Sequence, residues 1–353
     1  MSIAVKEIPL NHLHSQSLAD YISITQQSDI FPITCQLAET TFSLAEHCQV
    51  NSNEYIASSL TSLPAISDIE LVLFSETTFQ QLLTITKQCQ LEITAINAIN
   101  HRNALVSYRF AVQCKNLDEA KTQLATFALT DKIEAALIKN APKLEQAGIL
   151  VMDMDSTTIE IECIDEIAML AGVGEEVAAV TEQAMQGNLD FSQSLHERVS
   201  KLAGSPESIL AEVAKNIPLM NGLEKLIAEL KQYQWRIAIA SGGFTYFADH
   251  LKDMLNLDAA HANVLEIVDN TLTGKVLGNV VDAQAKADCL LSLQKQYQLP
   301  FQQTVAMGDG ANDLVMMNAA HFGVAFHAKP IVLKQADSAI NFAGLDCLIH
   351  WLA

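Results

Sequence analysis

The hydrophobic pattern of the carboxyl-terminal half predicts an α/β fold. Three short apolar runs each end in small or polar residues, namely GILVMD (148–153), WRIAIASGG (235–243) and TVAMGDGAND (304–313). Continuous apolar runs of this length are typical of strands buried in a parallel sheet. FGVAF and SAINF predict two further strands, and stretches at 222–233 and 286–297 predict intervening helices. We therefore expect a doubly wound, mainly parallel sheet that binds ligands at the carboxyl ends of its strands.

The segment between the first two of these strands predicts an inserted domain. It contains about eighty residues, far more than one crossover helix requires. Its pattern is almost wholly helical, interrupted at Gly172, Gly174, Gly187 and Ser205-Pro206. We expect a helical cap at about 159–218, over the strand ends. Farther along, LEIVDNTLTGKVLGNVV predicts a β-hairpin with its turn at Asp269-Asn270.

The amino-terminal part predicts a different kind of domain. Strand patterns occur in IELVLFS, LEITAINAI, ALVSYRFAVQC and KIEAALI, and helical patterns in 77–89 and 116–129. Their order, βαββαβ, is typical of an α+β ferredoxin-like module of the ACT type. Residues 1–66 have weak periodicity and receive no assigned structure. The predicted domains are this segment, the ACT-like domain at 67–140 and the α/β domain at 147–353.

Composition narrows the class of protein. The chain has 353 residues, of which 50% are hydrophobic and 18% charged, as expected for a globular protein. Its net charge of −20 disfavours nucleic acids and anionic membranes as partners. It has no apolar run of membrane-spanning length and no secretory signal, and its seven cysteines include no CxxC pair. These features predict a cytoplasmic protein with reduced thiols.

The most informative motif is Asp153-Met154-Asp155-Ser156-Thr157, directly after the first strand. One carboxylate can attack phosphorus as a nucleophile while the other transfers protons to and from the leaving group. The alternative is an acidic turn that caps the next helix.

Downstream residues favour the catalytic interpretation. Ser241-Gly242 follows the second strand and offers a hydroxyl and open amides to a phosphate. Lys286 is a candidate phosphate ligand. Asp309 and Asp313 follow the third strand with the hard oxygen ligands that Mg²⁺ prefers. Each feature is common alone, but the set in this order is specific.

From residue 148 onward the sequence resembles the phosphatases of the haloacid dehalogenase superfamily, and most closely its L-phosphoserine phosphatases. The resemblance includes the cap runs DSTTIEIECIDEIAMLAG and TEQAMQGNLDFSQSLHERV. It implies hydrolysis of L-phosphoserine, the last step of serine biosynthesis, through an aspartyl-phosphate. The resemblance assigns these roles: Asp153 as nucleophile; Asp155 as general acid and base; Ser241, Gly242 and Lys286 as phosphate ligands; Asn312 at the phosphate site, ordering its loop; and one Mg²⁺ held by Asp153, the backbone carbonyl of Asp155, and Asp309, with Asp313 close behind.

The same resemblance assigns substrate recognition to the cap. Glu162 would bind the ammonium and Arg198 the carboxylate of the amino acid, while Met185 and Phe191 would form apolar walls. From the residues alone, the favoured interpretation is that Glu162 is a charge typical of a helix start and Arg198 a solvated side chain.

Other functions stay open at this point. The core motifs also fit a phosphatase or phosphotransferase acting on another small phosphomonoester, because the superfamily shares its nucleophile and metal. From another class, the chain could be an amino-acid sensor that works through its ACT-like module. Our hypothesis for that module is a contribution to homodimer formation or regulation.

Overall fold

The computed structural model describes residues 3–10, 15–22, 32–38, 41–45, 56–60, 67–186 and 188–353. The chain forms two compact units. The first unit comprises residues 1–141, 341–343 and 348–353, and the second comprises residues 142–340 and 344–347. The last residues of the chain therefore belong to the unit in which the chain begins.

The first unit is built on an eight-stranded antiparallel sheet. Its strands are β1 Ile3–Pro9, β2 Ile33–Leu37, β3 Thr41–Ala45, β4 Ile56–Leu60, β5 Ile69–Phe74, β6 Glu92–Arg102, β7 Leu105–Gln113 and β8 Ala135–Lys139. The helices described between these strands are α1 Leu18–Tyr21, α2 Phe79–Gln88 and α3 Leu117–Asp131. The succession β5-α2-β6-β7-α3-β8 confirms the predicted ferredoxin-like order. Residues 1–66, unassigned from the sequence, contribute β1 to β4 and α1 where they are described.

The sheet contains one strand arrangement twice. Its order is β4-β1-β3-β2-β6-β7-β5-β8, so the first four strands mirror the last four across the antiparallel pair β2 and β6. Two backbone hydrogen bonds repeat the symmetry. Leu18 N donates to Thr77 O at 2.8 Å, and Phe79 N donates to Gln16 O at 3.0 Å. Leu18 and Phe79 are each the first residue of a helix, so the two hydrogen bonds join corresponding positions of the two halves.

The second unit contains a seven-stranded, mainly parallel sheet. Its strands are β9 Ile149–Met152, β10 Arg236–Phe244, β11 Ala259–Val268, β12 Thr271–Leu277, β13 Thr304–Gly308, β14 Phe322–Phe326 and β15 Ser338–Ile340. Its helices are α4 Cys163–Leu170, α5 Gly174–Met185, α6 Phe191–Lys201, α7 Ser208–Lys215, α8 Leu223–Gln232, α9 Thr245–Leu255, α10 Ala283–Gln296, α11 Leu314–Ala319 and α12 Pro330–Leu333, with 3₁₀ turns at Phe301–Gln303, Ala311–Asp313 and Leu345–Cys347.

The strand order β12-β11-β10-β9-β13-β14-β15 confirms the predicted doubly wound fold. Strand β9 lies between β10 and β13, and all four of its residues are buried, which explains its unbroken apolar sequence. Helices α4 to α7 are inserted between β9 and β10, where the cap was expected. Hairpin β11–β12 turns at Asp269 and Asn270, whose φ values of 48° and 57° suit a type I′ turn.

The end of the chain completes the first unit. Helix α13 (Leu348–Trp351) contributes backbone carbonyls to the buried guanidinium of Arg109, which donates to the oxygens of His350 and Leu352, each at 3.0 Å. Arg109 also pairs with Glu70 at 2.5 Å. The last carbonyls of a helix lack partners within it, so this arginine satisfies them and fixes the terminus in place.

His350 is buried in the same segment. Its Nδ1 lies 2.8 Å from the hydroxyl of Ser107, and its Nε2 lies 3.2 Å from the carbonyl oxygen of Arg102. Because that carbonyl can only accept, Nε2 carries the proton and Nδ1 accepts from Ser107. Burial, and then the positive charge of Arg102, lowers the pKa of His350 to about 4. The ring is therefore neutral at physiological pH.

Within the described ranges, no helix is long and apolar enough to cross a membrane. Cys89, Cys114, Cys163 and Cys289 are free thiols.

Candidate active site

Three neighbouring strands bring the predicted catalytic residues together. Asp153 follows β9, Ser241 lies near the end of β10, and Asp309 follows β13. The backbone N–H of Asp153 donates to Met307 O at 2.9 Å, which continues the β9–β13 pairing to the point where the carboxylate projects. Because β10 and β13 flank β9, the three side chains share one edge of the sheet.

Lys286 is the buried cation of this edge. It lies near the start of α10, and its Nζ is 2.8 Å from Asp153 Oδ1 and 2.7 Å from Asp313 Oδ1. Burial alone lowers the pKa of Lys286, but the charges of Asp153 and Asp313 outweigh it and raise the pKa above its ordinary value. Burial, followed by the charge of Asp153, raises the pKa of Asp313. Lys286 therefore stays charged and offsets part of the repulsion among the carboxylates.

A divalent cation fits the remaining negative charge. Asp153, Asp309 and Asp313 each offer a carboxylate oxygen, and these oxygens lie within 4.8 Å of one another. Three carboxylates facing one ammonium leave an excess of negative charge, and hard oxygen donors are those that Mg²⁺ prefers. Burial, and then the charge of Asp153, raises the pKa of Asp309, as expected for carboxylates that lie close together.

Asp155 is held beside Asp153 by backbone groups. Its Oδ1 accepts a hydrogen bond from the N–H of Cys163 at 3.0 Å. A β-carbon at Gly243 would come within 2.7 Å of Oδ2, so the glycine permits this close approach. Burial, and then the charge of Glu162, raises the pKa of Asp155 to about 7. A carboxyl group with that pKa can both donate and accept a proton near neutral pH.

The loop at the end of β10 is shaped for close contact. The N–H of Gly243 donates to Ser241 Oγ at 2.8 Å. A β-carbon at Gly242 would lie 2.5 Å from the ring of Phe191, so the ring can pack directly against the backbone. Asn263, which is buried, donates to the carbonyl of Gly242 at 2.8 Å and accepts from Val281 N at 2.8 Å. Asn263 of β11 thus holds this loop in place.

The cap closes the strand ends into a cavity of about 310 Å³. The sequence-predicted residues that line it are Asp153, Asp155, Glu162, Phe191, Arg198, Ser241, Gly242, Asp309 and Asn312. Lys286 adjoins the cavity through its contact with Asp153, and Asp313 in turn contacts Lys286. Met185 is the last residue of α5, and its side chain lies outside the described residues.

The two charged cap residues face the cavity from different helices. Glu162 precedes α4, and burial raises its pKa. Arg198 belongs to α6, where its Nε donates to the carbonyl of Ser194 at 3.3 Å. Burial lowers the pKa of Arg198, although Asp165, Glu162 and Asp155 act in the opposite direction. An acidic and a basic side chain in one small cavity suit a ligand that carries both charges.

Sequence reasoning missed several residues of the site. Lys329, after β14, lines the cavity, and its strand-end position was the signal that could have identified it. Thr158 Oγ1 donates to the backbone carbonyl of Asp153 at 2.5 Å, and Asn263 supports Gly242. Nothing in the sequence around Asn263 distinguishes it from other hairpin residues.

Comparisons with known proteins agree with this arrangement. The model of the haloacid dehalogenase-like hydrolases matches residues 148–321. A phosphoserine phosphatase of Vibrio cholerae is 60% identical over 218 residues, which are 62% of this chain and 66% of that protein. A phosphoserine phosphatase of Haemophilus influenzae is 58% identical over 222 residues, 63% of this chain and 71% of that one.

A solved structure extends the similarity beyond the matched segment. The unliganded crystal structure of a probable phosphoserine phosphatase from Vibrio cholerae covers 83% of this chain and 88% of its own, with a TM-score of 0.68 and 47% identity. Fold, strand-end carboxylates and sequence identity agree, and the chain is a phosphatase that belongs to the phosphoserine phosphatases among the haloacid dehalogenase-like hydrolases.

Proposed function

We propose that this site hydrolyses L-phosphoserine to L-serine and phosphate. The observation that carries the proposal is the pairing of two features in one cavity. Asp153 at the end of β9 is paired with Lys286 of α10, and Glu162 and Arg198 approach from the cap. The first pair suits a phosphoryl group and the second an amino acid.

The reaction uses Asp153 as nucleophile. A carboxylate oxygen of Asp153 attacks phosphorus, the bond to the serine oxygen breaks, and Asp155 donates its proton to that oxygen. In the second half, Asp155 takes a proton from water, whose oxygen attacks the phosphorus of the aspartyl-phosphate. Phosphate leaves, Asp153 is regenerated, and Asp155 again carries its proton. The contact from Cys163 N to Asp155 at 3.0 Å supports the required orientation.

The phosphoryl oxygens would be bound by groups from the end of β10 and from helix α10. Lys286 supplies a full positive charge, and Ser241 and the amide of Gly242 supply hydrogen-bond donors. Asn312 lines the cavity at the β13 loop and helps order it. Asp153, Asp309 and Asp313, with the backbone carbonyl of Asp155, would hold one Mg²⁺. When bound, it would neutralise negative charge on the transferring phosphoryl group.

The amino-acid part of the substrate determines selectivity. Glu162 binds the ammonium, and Arg198 binds the carboxylate with its planar guanidinium. Phe191 lines the cavity as an apolar wall, and Met185 is proposed as the second. This arrangement favours phosphoserine over phosphomonoesters that lack either charge.

The direct test is phosphate release from L-phosphoserine with Mg²⁺, repeated with EDTA and with phosphothreonine, phosphohomoserine and p-nitrophenyl phosphate. Metal-dependent release that favours phosphoserine is expected. The control is Asp153→Asn, whose amide cannot form the acyl phosphate and should release none. Metal-dependent release from other esters but not from phosphoserine would retain the mechanism and refute the roles of Glu162 and Arg198.

A second proposal concerns the first unit, which carries two ferredoxin-like strand arrangements. We propose that it contributes to homodimer formation or to regulation by an amino acid. Light scattering gives the mass in solution, and phosphatase rates with added L-serine give the response. A monomer whose rate follows simple product inhibition would contradict both parts.

A further inference from the structure

Ser156, between Asp155 and Thr157, has an unusual backbone conformation. Its φ is 57°, in the left-handed region that non-glycine residues rarely adopt. For a residue with a β-carbon this conformation is strained and persists where surrounding contacts maintain it. Serine has no particular preference for this conformation.

That side chain contacts a residue of the cavity. Ser156 Oγ donates a hydrogen bond to Glu162 Oε1 at 2.8 Å. Glu162 occupies the N-cap position of α4, but its carboxylate makes no capping bond to that helix. The carboxylate is therefore directed by Ser156 and not by the helix that follows it.

The surrounding loop connects the two functions of the site. Cys163 N bonds the carboxylate of Asp155, while Ser156 bonds the carboxylate of Glu162. Two hydrogen bonds thus connect the loop after β9 with the start of α4, one at Asp155 and one at Ser156. Because the backbone turns at Ser156, the neighbouring side chains of Asp155 and Ser156 can each make one of these hydrogen bonds.

We infer that Ser156 is a positioning residue that fixes Glu162 for the ammonium of the substrate. This inference rests on the proposed function. The Ser156 hydroxyl donates to Oε1 of Glu162, which leaves Oε2 of that carboxylate for the ammonium of the substrate. As a neutral donor, it restrains the flexible glutamate without cancelling the negative charge that attracts the ligand.

Two variants separate the hydroxyl from the backbone. Ser156→Ala removes the hydroxyl and keeps the left-handed strain, whereas Ser156→Gly removes the hydroxyl and relieves it. Both should raise KM for L-phosphoserine roughly five- to tenfold, the size of a typical lost hydrogen bond at an exposed position. The preference for phosphoserine over p-nitrophenyl phosphate, as a ratio of kcat/KM values, should fall by the same factor. Gln234→Gly, at φ 62° in the turn before β10, is the matched control and should change neither value.

A double-mutant cycle tests whether Ser156 acts through Glu162. In the Glu162→Gln background, adding Ser156→Gly should leave KM for phosphoserine unchanged, because the group it positions is already altered. A further five- to tenfold rise there would overturn the inference, and so would a Ser156→Gly variant with wild-type selectivity. If the wild-type enzyme did not hydrolyse phosphoserine at all, the proposed function would fail and this inference with it. If the wild type hydrolyses phosphoserine and Ser156→Gly has an unchanged KM and selectivity, this inference fails and the proposed function stands.

Discussion

The ammonium of Lys286 lies 2.8 Å from Oδ1 of Asp153, so the proposed nucleophile is paired with a buried cation before any substrate arrives. The same ammonium lies 2.7 Å from Asp313. Lys286 therefore links the residue that attacks phosphorus to a carboxylate of the proposed metal site.

Replacing Lys286 with methionine should lower kcat for phosphoserine by about a hundredfold or more, since it removes a preorganised charge from the phosphoryl group. The change also leaves buried carboxylates without their cation, so the fold must be verified by circular dichroism. Lys295→Met, an exposed lysine at the end of the same helix, is the control. Folded Lys286→Met with wild-type kcat would contradict the role of Lys286.

Replacing Arg198 with alanine should affect substrates unequally. We expect kcat/KM for phosphoserine to fall about a hundredfold, as when one partner of a buried charge pair is truncated. The rate with p-nitrophenyl phosphate, which has no carboxylate, should change little. Lys201→Ala, exposed on the same helix, controls for general effects on α6. Equal losses on both substrates would refute carboxylate recognition by Arg198.

The charge of Lys329 should make kcat/KM depend on ionic strength. Its side chain lines the cavity beside the carboxylates, in a protein of net charge −20 that otherwise repels a phosphate. Lys329→Met should lower kcat/KM roughly fivefold at low salt, the size of a partly exposed charge interaction. Because salt screens that attraction, the wild type and the variant should converge as salt is raised.

The matched control for that experiment is Lys334→Met, an exposed lysine directly after α12. It should behave as the wild type at every salt concentration. A loss in Lys329→Met that is the same at low and high salt would point to a structural role.

The sequence was most informative where one local rule determined the outcome. Apolar strands that end in Asp153, Ser241 and Asp309 predicted both the parallel sheet and the edge at which these residues meet. The same rule applies to Lys329 after β14, although a lone lysine without a recognisable motif is a weaker signal than the three carboxylate and hydroxyl motifs. Asn263 could not be found this way, because its contact with Gly242 depends on how β11 packs beside β10.

The first unit shows the opposite case. Its strand order occurs twice, yet residues 1–66 have no periodicity that reveals the repeat, because their pairing is set by contacts between distant strands. The inclusion of residues 348–353 in the first unit likewise depends on contacts between residues far apart in the sequence. Arg109 and the carbonyl of Leu352 are 243 positions apart in the chain, and no local pattern could indicate their contact.

His350 gives the first unit a predictable response to pH. Its pKa is about 4 in the folded protein, against an ordinary value of 6.5. Below pH 6.5 the unfolded chain binds a proton that the folded protein takes up only near pH 4. The contribution to stability is therefore complete above pH 6.5 and is lost as the pH falls towards 4, with a total of about 3 kcal/mol.

The chain offers a specific reporter for this effect. It has two tryptophans, Trp351 in the first unit and Trp235 in the second. In a Trp235→Phe background, the fluorescence of Trp351 follows urea unfolding of the unit that contains His350. Relative to His350→Gln, the parent protein should lose free energy of unfolding with a slope approaching about 1.4 kcal/mol per pH unit between pH 6.5 and 4. His101→Gln, exposed at the end of β6, should leave the slope unchanged. A parent and His350→Gln with parallel pH dependence would show that His350 is already protonated, or exposed, in the folded protein.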